Sequence, residues 1–289
     1  MADAAPVSSS RSSFADLRTR ILSAIVLVAA AVGTLLLGGL PFVLFWLAAA
    51  LAVNWEWQRM VMSDRVGPRA IAGGVALCIA AALCIQFAPD LAFLVVLAGA
   101  VVVGLLATKG RRIWAGAGVI YAGALIVSVL TIRPALAASL ERPFDLRTIV
   151  WLFAVVWGTD VMAYFGGRLI GGPKVWPAVS PGKTWSGTLV GIVCGALAGV
   201  AVAAINPVMP ISLWPVLAVG LLAAAAAQAG DFLESGVKRR FGVKDSSGLI
   251  PGHGGVMDRL DGFVAAAVLV VLVALVRDAS SVGEALFRW

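Results

Sequence analysis

The residues from Gly230 to Gly262 read GDFLESGVKRRFGVKDSSGLIPGHGGVMDRLDG, a polar block in an otherwise apolar chain. They hold five of the chain's 15 acidic residues (Asp231, Glu234, Asp245, Asp258 and Asp261) and its only histidine, His253. Asp231 and Glu234 are three positions apart, as are Asp258 and Asp261. On helix ends, each pair presents two carboxylates on one face. Carboxylates gathered in this way repel unless a cation sits between them. Hard oxygen ligands suit Mg²⁺, which takes one or two carboxylates and completes its shell with water and substrate phosphates. The competing arrangement pairs Glu234 with Lys238 and Asp258 with Arg259 in a solvated loop.

Lys238, Arg239, Arg240 and Lys244 stand beside the carboxylates. Beside an acidic cluster they fit phosphate clamps, and alone they fit anchors to anionic lipid heads. Pro251 to Gly255, PGHGG, is a turn whose glycines let backbone amides approach a phosphate. His253 within it could orient a phosphate, move a proton or cap the turn. No second His or Cys lies near it to make a metal site. A second polar stretch, SPGKTWSG from Ser180 to Gly187, opens a helix whose N-terminus could receive an anion. It lacks the spacing of a Walker A loop. Asp160 and Glu56 sit within apolar runs, where ionisable groups are functional candidates. Glu56 is read as structural, snorkelling to the membrane boundary or paired with Arg59, while Asp160 could face the same polar cavity as the block above.

These residues need a scaffold, and the composition supplies one. Of the 289 residues, 61% are hydrophobic and 13% are charged, and the mean hydropathy is +0.99. Nine apolar runs start near Ile21, Phe42, Ala70, Leu91, Ile113, Thr148, Gly187, Ile211 and Gly262. At about 17 to 22 residues and roughly 1.5 Å per residue, each spans a bilayer core. The fold class is therefore all-α: a polytopic integral membrane protein with about nine transmembrane helices and cytoplasmic catalytic loops. The predicted division is a tail over 1–20, N-terminal helices over 21–147, a catalytic membrane region over 148–276, and a tail over 277–289. Gly and Ala within the spans allow close helix packing. Cys78, Cys84 and Cys194 lie in apolar runs and make neither a disulfide framework nor a metal site. The polar start, including Ser8 to Ser13, reads as a disordered tail before a retained span, with no secretory cleavage site.

Seventeen of the 22 basic residues fall on alternate connections. They are Arg11, Arg18 and Arg20, then Arg59, Arg65 and Arg69, then Lys109, Arg111 and Arg112. Arg168, Lys174 and Lys183 follow, and last Lys238, Arg239, Arg240, Lys244 and Arg259. The intervening loops around Gly39, Pro89 and Pro207 have none, and that from Arg133 to Arg147 sets three against Glu141 and Asp145. By the positive-inside rule the N-terminus is cytoplasmic and, with nine spans, the C-terminus is outside. The net charge of +7 is accounted for by these loops. No basic stripe or stacking platform points to nucleic acid.

The stretch from Ser235 to Asp261 resembles the signature of the phosphatidate cytidylyltransferase (CDP-diacylglycerol synthase) family. The matching positions are Ser235, Lys238, Arg239, Lys244, Asp245, Pro251, His253, Gly254, Gly255, Asp258, Arg259 and Asp261. Upstream, Asp160 to Arg168 resembles the family's D-T-x-A-Y-x-x-G-R with Val161 in place of Thr. Ser180 to Gly187 resembles S-P-K-K-T-x-E-G, with Gly182 for the first Lys and Ser186 for Glu. The resemblance implies a Mg²⁺-dependent reaction in which the phosphate of phosphatidate attacks the α-phosphorus of CTP and pyrophosphate leaves. It implies metal binding by Asp231 and Asp258, with Asp261 and Asp160 as further candidates, and a second metal, K⁺. It assigns phosphate contacts to Ser180, Lys183, Thr184, Lys238, Arg239, Lys244 and Arg259. Asp231, Asp258, Lys238 and His253 form the catalytic set. The implied partners are CTP, phosphatidate and membrane lipid, with room for a homodimer, and the implied location is a bacterial-type inner membrane.

Two other classes fit less well. An ion-coupled carrier predicts two related halves with interrupted helices, and no internal repeat is visible. A transferase using a CDP-linked lipid carries a DGxxAR motif, whereas Asp261-Gly262 is followed by Phe263, Val264, Ala265 and Ala266.

Overall fold

The computed structural model describes residues 10–62, 67–135, 144–205 and 211–289, with 10–17 by backbone. Ser8, Ser9, Arg65, Glu141, Arg142 and Pro207, used above, lie outside the described residues. The helices are α1 Ser10–Leu37, α2 Gly39–Met62, α3 Pro68–Ile85, α4 Pro89–Leu106 and α5 Arg112–Ile132. They continue as α6 Asp145–Ile170, α7 Trp185–Ala204, α8 Leu213–Arg240, α9 Met257–Val276 and the short α10 Val282–Phe287. Among the described residues, nine of these are long and apolar enough to cross a membrane. Their outward faces carry Leu36, Leu105, Ile113, Leu169 and Val276, each more than 60% exposed. Water would penalise that surface, and acyl chains do not.

Local sequence sets several boundaries. Pro68 and Pro89 occupy the first turns of α3 and α4, where a missing N–H costs nothing. Gly38 and Gly39, at φ +62° and +52°, break α1 from α2, a conformation glycine adopts without strain. The interior is filled by Phe42, Trp46, Leu77, Leu125, Trp151 and Phe287, all below 2% exposure. The Trp46 ring stacks on Phe263 at 5.0 Å, joining α2 to α9.

Helices α6 and α7 approach most intimately through Gly187, Gly191, Gly195 and Gly199, spaced by four on one face of α7. A Cβ at Gly191 would lie 2.6 Å from the Thr159 carbonyl, and one at Gly195 would lie 2.7 Å from that of Val155. Only hydrogen fits there, so this stripe fixes how α7 lies on α6.

Four features differ from the sequence reading. Gly166, Gly167 and Arg168 belong to α6, which runs on to Ile170, not to a loop. Lys174–Trp176 (β1) and Ser180–Thr184 (β2) form an antiparallel two-stranded ribbon in an otherwise helical protein. The C-terminal residues include α10, where Phe287 is buried and packs 5.5 Å from Phe144 at the start of α6. The backbone is helical from Ser10, where the Ser-rich start reads as a tail.

Candidate active site

Both acidic pairs sit on helices. Asp231, Glu234, Ser235 and Lys238 line one face of the last turns of α8, and Asp258 and Asp261 lie in the first turns of α9. Helices α8 and α9 pack closely: the Gly230 Cα faces the Asp261 carbonyl so tightly that a Cβ would come within 2.6 Å. That approach brings carboxylates from the two helices together.

Asp231, Glu234 and Asp261 each offer an oxygen within 4.8 Å of the others. Glu234 is fully buried, and neither of its oxygens accepts a hydrogen bond from a protein donor. Lys238 Nζ stands 3.1 Å from Glu234 Oε2 and 2.8 Å from Asp258 Oδ1. Three carboxylates this close, one of them dry, must share a proton or a cation. Hard oxygen donors and a buried carboxylate whose lysine is shared with Asp258 fit a divalent ion such as Mg²⁺.

Asp258 differs from its expected place. It is not in that trio, because protein donors occupy both its oxygens. Lys238 Nζ and the Ser246 amide (3.2 Å) approach Oδ1, while the amides of Ser246 (2.9 Å) and Gly255 (2.8 Å) and the Ser246 hydroxyl (3.0 Å) approach Oδ2. Asp258 thus joins the 241–256 connection to Lys238. The suggested Asp258–Arg259 pair does not form among the described contacts. Arg259 instead donates twice to the His253 carbonyl, at 3.0 and 2.6 Å. The Glu234–Lys238 pair does form, inside the cluster.

The ribbon adds a second cation. Lys183 Nζ lies 2.6 Å from Asp231 Oδ2, donates to Gln228 Oε1 at 3.0 Å, and sits over the Phe232 ring at 4.5 Å. Thr184 caps α7 by accepting from the Gly187 amide at 3.2 Å, as its place before an apolar run suggests. Ser186 closes the ribbon by donating to the Gly171 carbonyl. Ser180 pairs with Trp176 in the ribbon. Arg239 donates to the Val243 carbonyl at 3.4 Å, and Lys244 is exposed beyond it. Asp160, exposed on the side of α6, feels the charges of Asp261, Asp231, Lys183 and Arg259.

His253 is held from another helix: Ser23 Oγ of α1 lies 2.8 Å from Nδ1 and donates to the Pro251 carbonyl at 3.0 Å. Glu56 is structural but is not paired with Arg59, which lies over Trp55 at 5.2 Å. Its buried carboxylate accepts from the amides of Val256 (2.9 Å) and Met257 (2.7 Å). Sequence reasoning paired Glu234 with Asp231 as carboxylates on one face, with a Glu234–Lys238 ion pair as the competing arrangement, but left Glu234 out of the metal set and missed Ser23, Gln228 and Ser246. The i, i+3 spacing from Asp231 is the signal that puts Glu234 in the cluster.

The chain matches the cytidylyltransferase family over residues 18–276. The chain belongs to that family. Its membership is supported along nearly the whole length. The phosphatidate cytidylyltransferase of Brucella suis biovar 1 (strain 1330) is 40% identical over 275 residues, 94% of this chain and 98% of the relative. That of Brucella melitensis biotype 1 (strain 16M) matches at the same 40% over 275 residues, with the same 94% and 98% coverage. That of Staphylococcus saprophyticus is 44% identical over 123 residues, 43% of this chain and 47% of the relative. As a family member, this chain is a nucleotidyltransferase, and the trio and its two lysines lie in the C-terminal part of the matched region.

Proposed function

We propose that this chain is a phosphatidate cytidylyltransferase, joining CTP and phosphatidate to give CDP-diacylglycerol and pyrophosphate. A phosphate oxygen of phosphatidate attacks the α-phosphorus of CTP, forming one P–O bond while the bond to the pyrophosphate oxygen breaks. The lipid phosphate is already ionised near neutral pH, so no general base is required. The observation that carries the reading is the trio Asp231, Glu234 and Asp261 with Lys183 and Lys238 on its carboxylates. The near full-length identity to enzymes of that name supports it.

A divalent cation held by Asp231, Glu234 and Asp261 would supply charge neutralisation for the two polyanions. The chain's own groups do the rest. Lys183 and Lys238 are positive charges kept at the site by carboxylates, within reach of an incoming phosphate. Arg239, Lys244 and Arg259 extend that field along the 241–256 connection. Asp258 acts through Lys238 as a positioning group, and His253 lines the turn. Mg²⁺, with K⁺ as a second ion, is the proposed identity of the metals.

The basic residues favour a cytoplasmic site. The fold puts several of their helix ends together: Arg111 donates to the Val61 carbonyl and Arg240 lies over Trp114 at 4.9 Å. A site at that boundary meets a substrate from the bilayer and one from water. The test supplies labelled CTP, phosphatidate and Mg²⁺ to the purified protein and follows label into lipid. Metal-dependent incorporation is expected, and none under any divalent ion would end the reading.

A further inference from the structure

The site described above belongs to α8, α9 and the ribbon, yet a carboxylate as rich in donors as Asp258 comes from the opposite half of the chain. Glu56, on α2, is 0% exposed. Its Oε1 accepts from the Ser247 hydroxyl at 2.5 Å and the Val256 amide at 2.9 Å. Its Oε2 accepts from the Met257 amide at 2.7 Å and lies 3.4 Å from the Ser246 hydroxyl. Those two amides are the first unpaired donors of α9, so Glu56 caps that helix from 200 residues away.

The contacts continue into the site. Ser246 Oγ also lies 3.0 Å from Asp258 Oδ2, so one hydroxyl proton is shared between two carboxylates. Asp258 in turn binds Lys238 at 2.8 Å, and Lys238 binds Glu234 at 3.1 Å. Gly255 packs against this chain: a Cβ there would come 1.9 Å from Ser246 Oγ and 2.5 Å from Glu56 Oε1. The backbone must pass where no side chain fits.

We propose that Glu56 is a positioning residue for the reaction. It fixes the start of α9 and the 241–256 connection, so that Asp258 and Asp261 meet Lys238 and Glu234 in register. Its two oxygens satisfy three donors and share a fourth, the Ser246 hydroxyl, with Asp258, which no neutral side chain of the same shape can do. A glutamine would place an NH₂ against an N–H or O–H. The inference rests on the reading of the site as catalytic.

The test compares wild type with Glu56→Gln, Glu56→Asp and Ser247→Ala in detergent micelles. The readouts are kcat, KM for CTP, the thermally folded fraction, and the rate of tryptic cleavage after Lys244. Per folded molecule, Glu56→Gln should lose at least tenfold in kcat with KM for CTP within threefold, and cleavage should quicken at least tenfold. Glu56→Asp should recover part of both losses, and Ser247→Ala should lose two- to threefold in kcat. A Glu56→Gln protein whose folded fraction turns over at the wild-type rate would overturn the proposal, leaving a purely structural role. So would an unchanged cleavage rate. Should Glu56→Gln not fold, Ser247→Ala decides alone, and wild-type kcat in it sinks the idea. If wild type itself incorporates no CTP, the functional reading falls while the cleavage comparison still judges the positioning.

Discussion

At the scale of single residues, burial and donor supply divide the carboxylates into two kinds. Asp258 is saturated by amides, a hydroxyl and a lysine, which makes it a structural anion in this state. Glu234 is dry and shares its lysine, Lys238, with Asp258, which leaves it costly unless a further ion joins it. Adding Mg²⁺ should therefore raise the melting temperature of the wild-type protein, because a ligand bound to the folded state alone stabilises it by about 2.7 kcal/mol at a hundredfold excess over Kd. Glu234→Gln should melt higher than wild type without the ion, gain nothing from it, and lose at least a hundredfold in turnover. A Mg²⁺-dependent rise that survives in Glu234→Gln would remove Glu234 from the metal site. Lys238→Ala tests the other half of the balance. It strands Glu234 and Asp258 together, and breaking a buried pair on one side costs roughly 3–5 kcal/mol. Chemical denaturation should show that loss, and Lys238→Arg should restore most of it.

At the scale of elements, the helices that carry chemistry are placed by residues that carry none. The glycine stripe of α7 decides where Thr184 and Lys183 arrive, because α7 seats on α6 through contacts that exclude any Cβ. Gly191→Val should push α7 off the Thr159 carbonyl, lowering the melting temperature by several degrees and activity with it, whereas Gly182→Ala, with open space around it, should leave both unchanged. Equal effects would show that the ribbon, not the stripe, sets the position. The same contrast explains what the sequence made legible. Apolar length announces a span whatever its partners, so all nine emerged. Polar first turns hide a helix from hydropathy, so α9 was expected from Gly262 although it starts at Met257. A three-residue strand such as β1 has too little pattern to stand out. Glu56 was visible as an ionisable group at depth, but its partners lie 190 to 201 positions away, and no local signal links them.

At the scale of the whole molecule, orientation follows from which helix ends share a side. Ser23 near the start of the apolar span of α1 (Arg18–Leu37), the end of α8 and the start of α9 meet around His253 and Lys238, and the Arg111–Val61 contact ties the ends of α2 and α5. The opposite ends meet elsewhere: Arg133 donates to the Leu35 carbonyl at 2.9 Å, and α10 packs under α6 through Phe287 and Phe144. An odd number of spans between Ser23 and Ser280 therefore puts the reactive cluster and α10 on opposite faces. The proposed orientation puts the cluster in the cytoplasm, since loops rich in Lys and Arg resist transfer across the membrane. Lys244 and Ser280 are both exposed, so a cysteine at either reports its own side. With the three native cysteines changed to alanine, an impermeant maleimide should label Ser280→Cys in intact spheroplasts. It should label Lys244→Cys only after the membrane is opened. Labelling of Lys244→Cys in intact cells would invert the molecule and put the carboxylate trio where no CTP is present, which is why orientation bears on the chemistry as directly as any residue in the site.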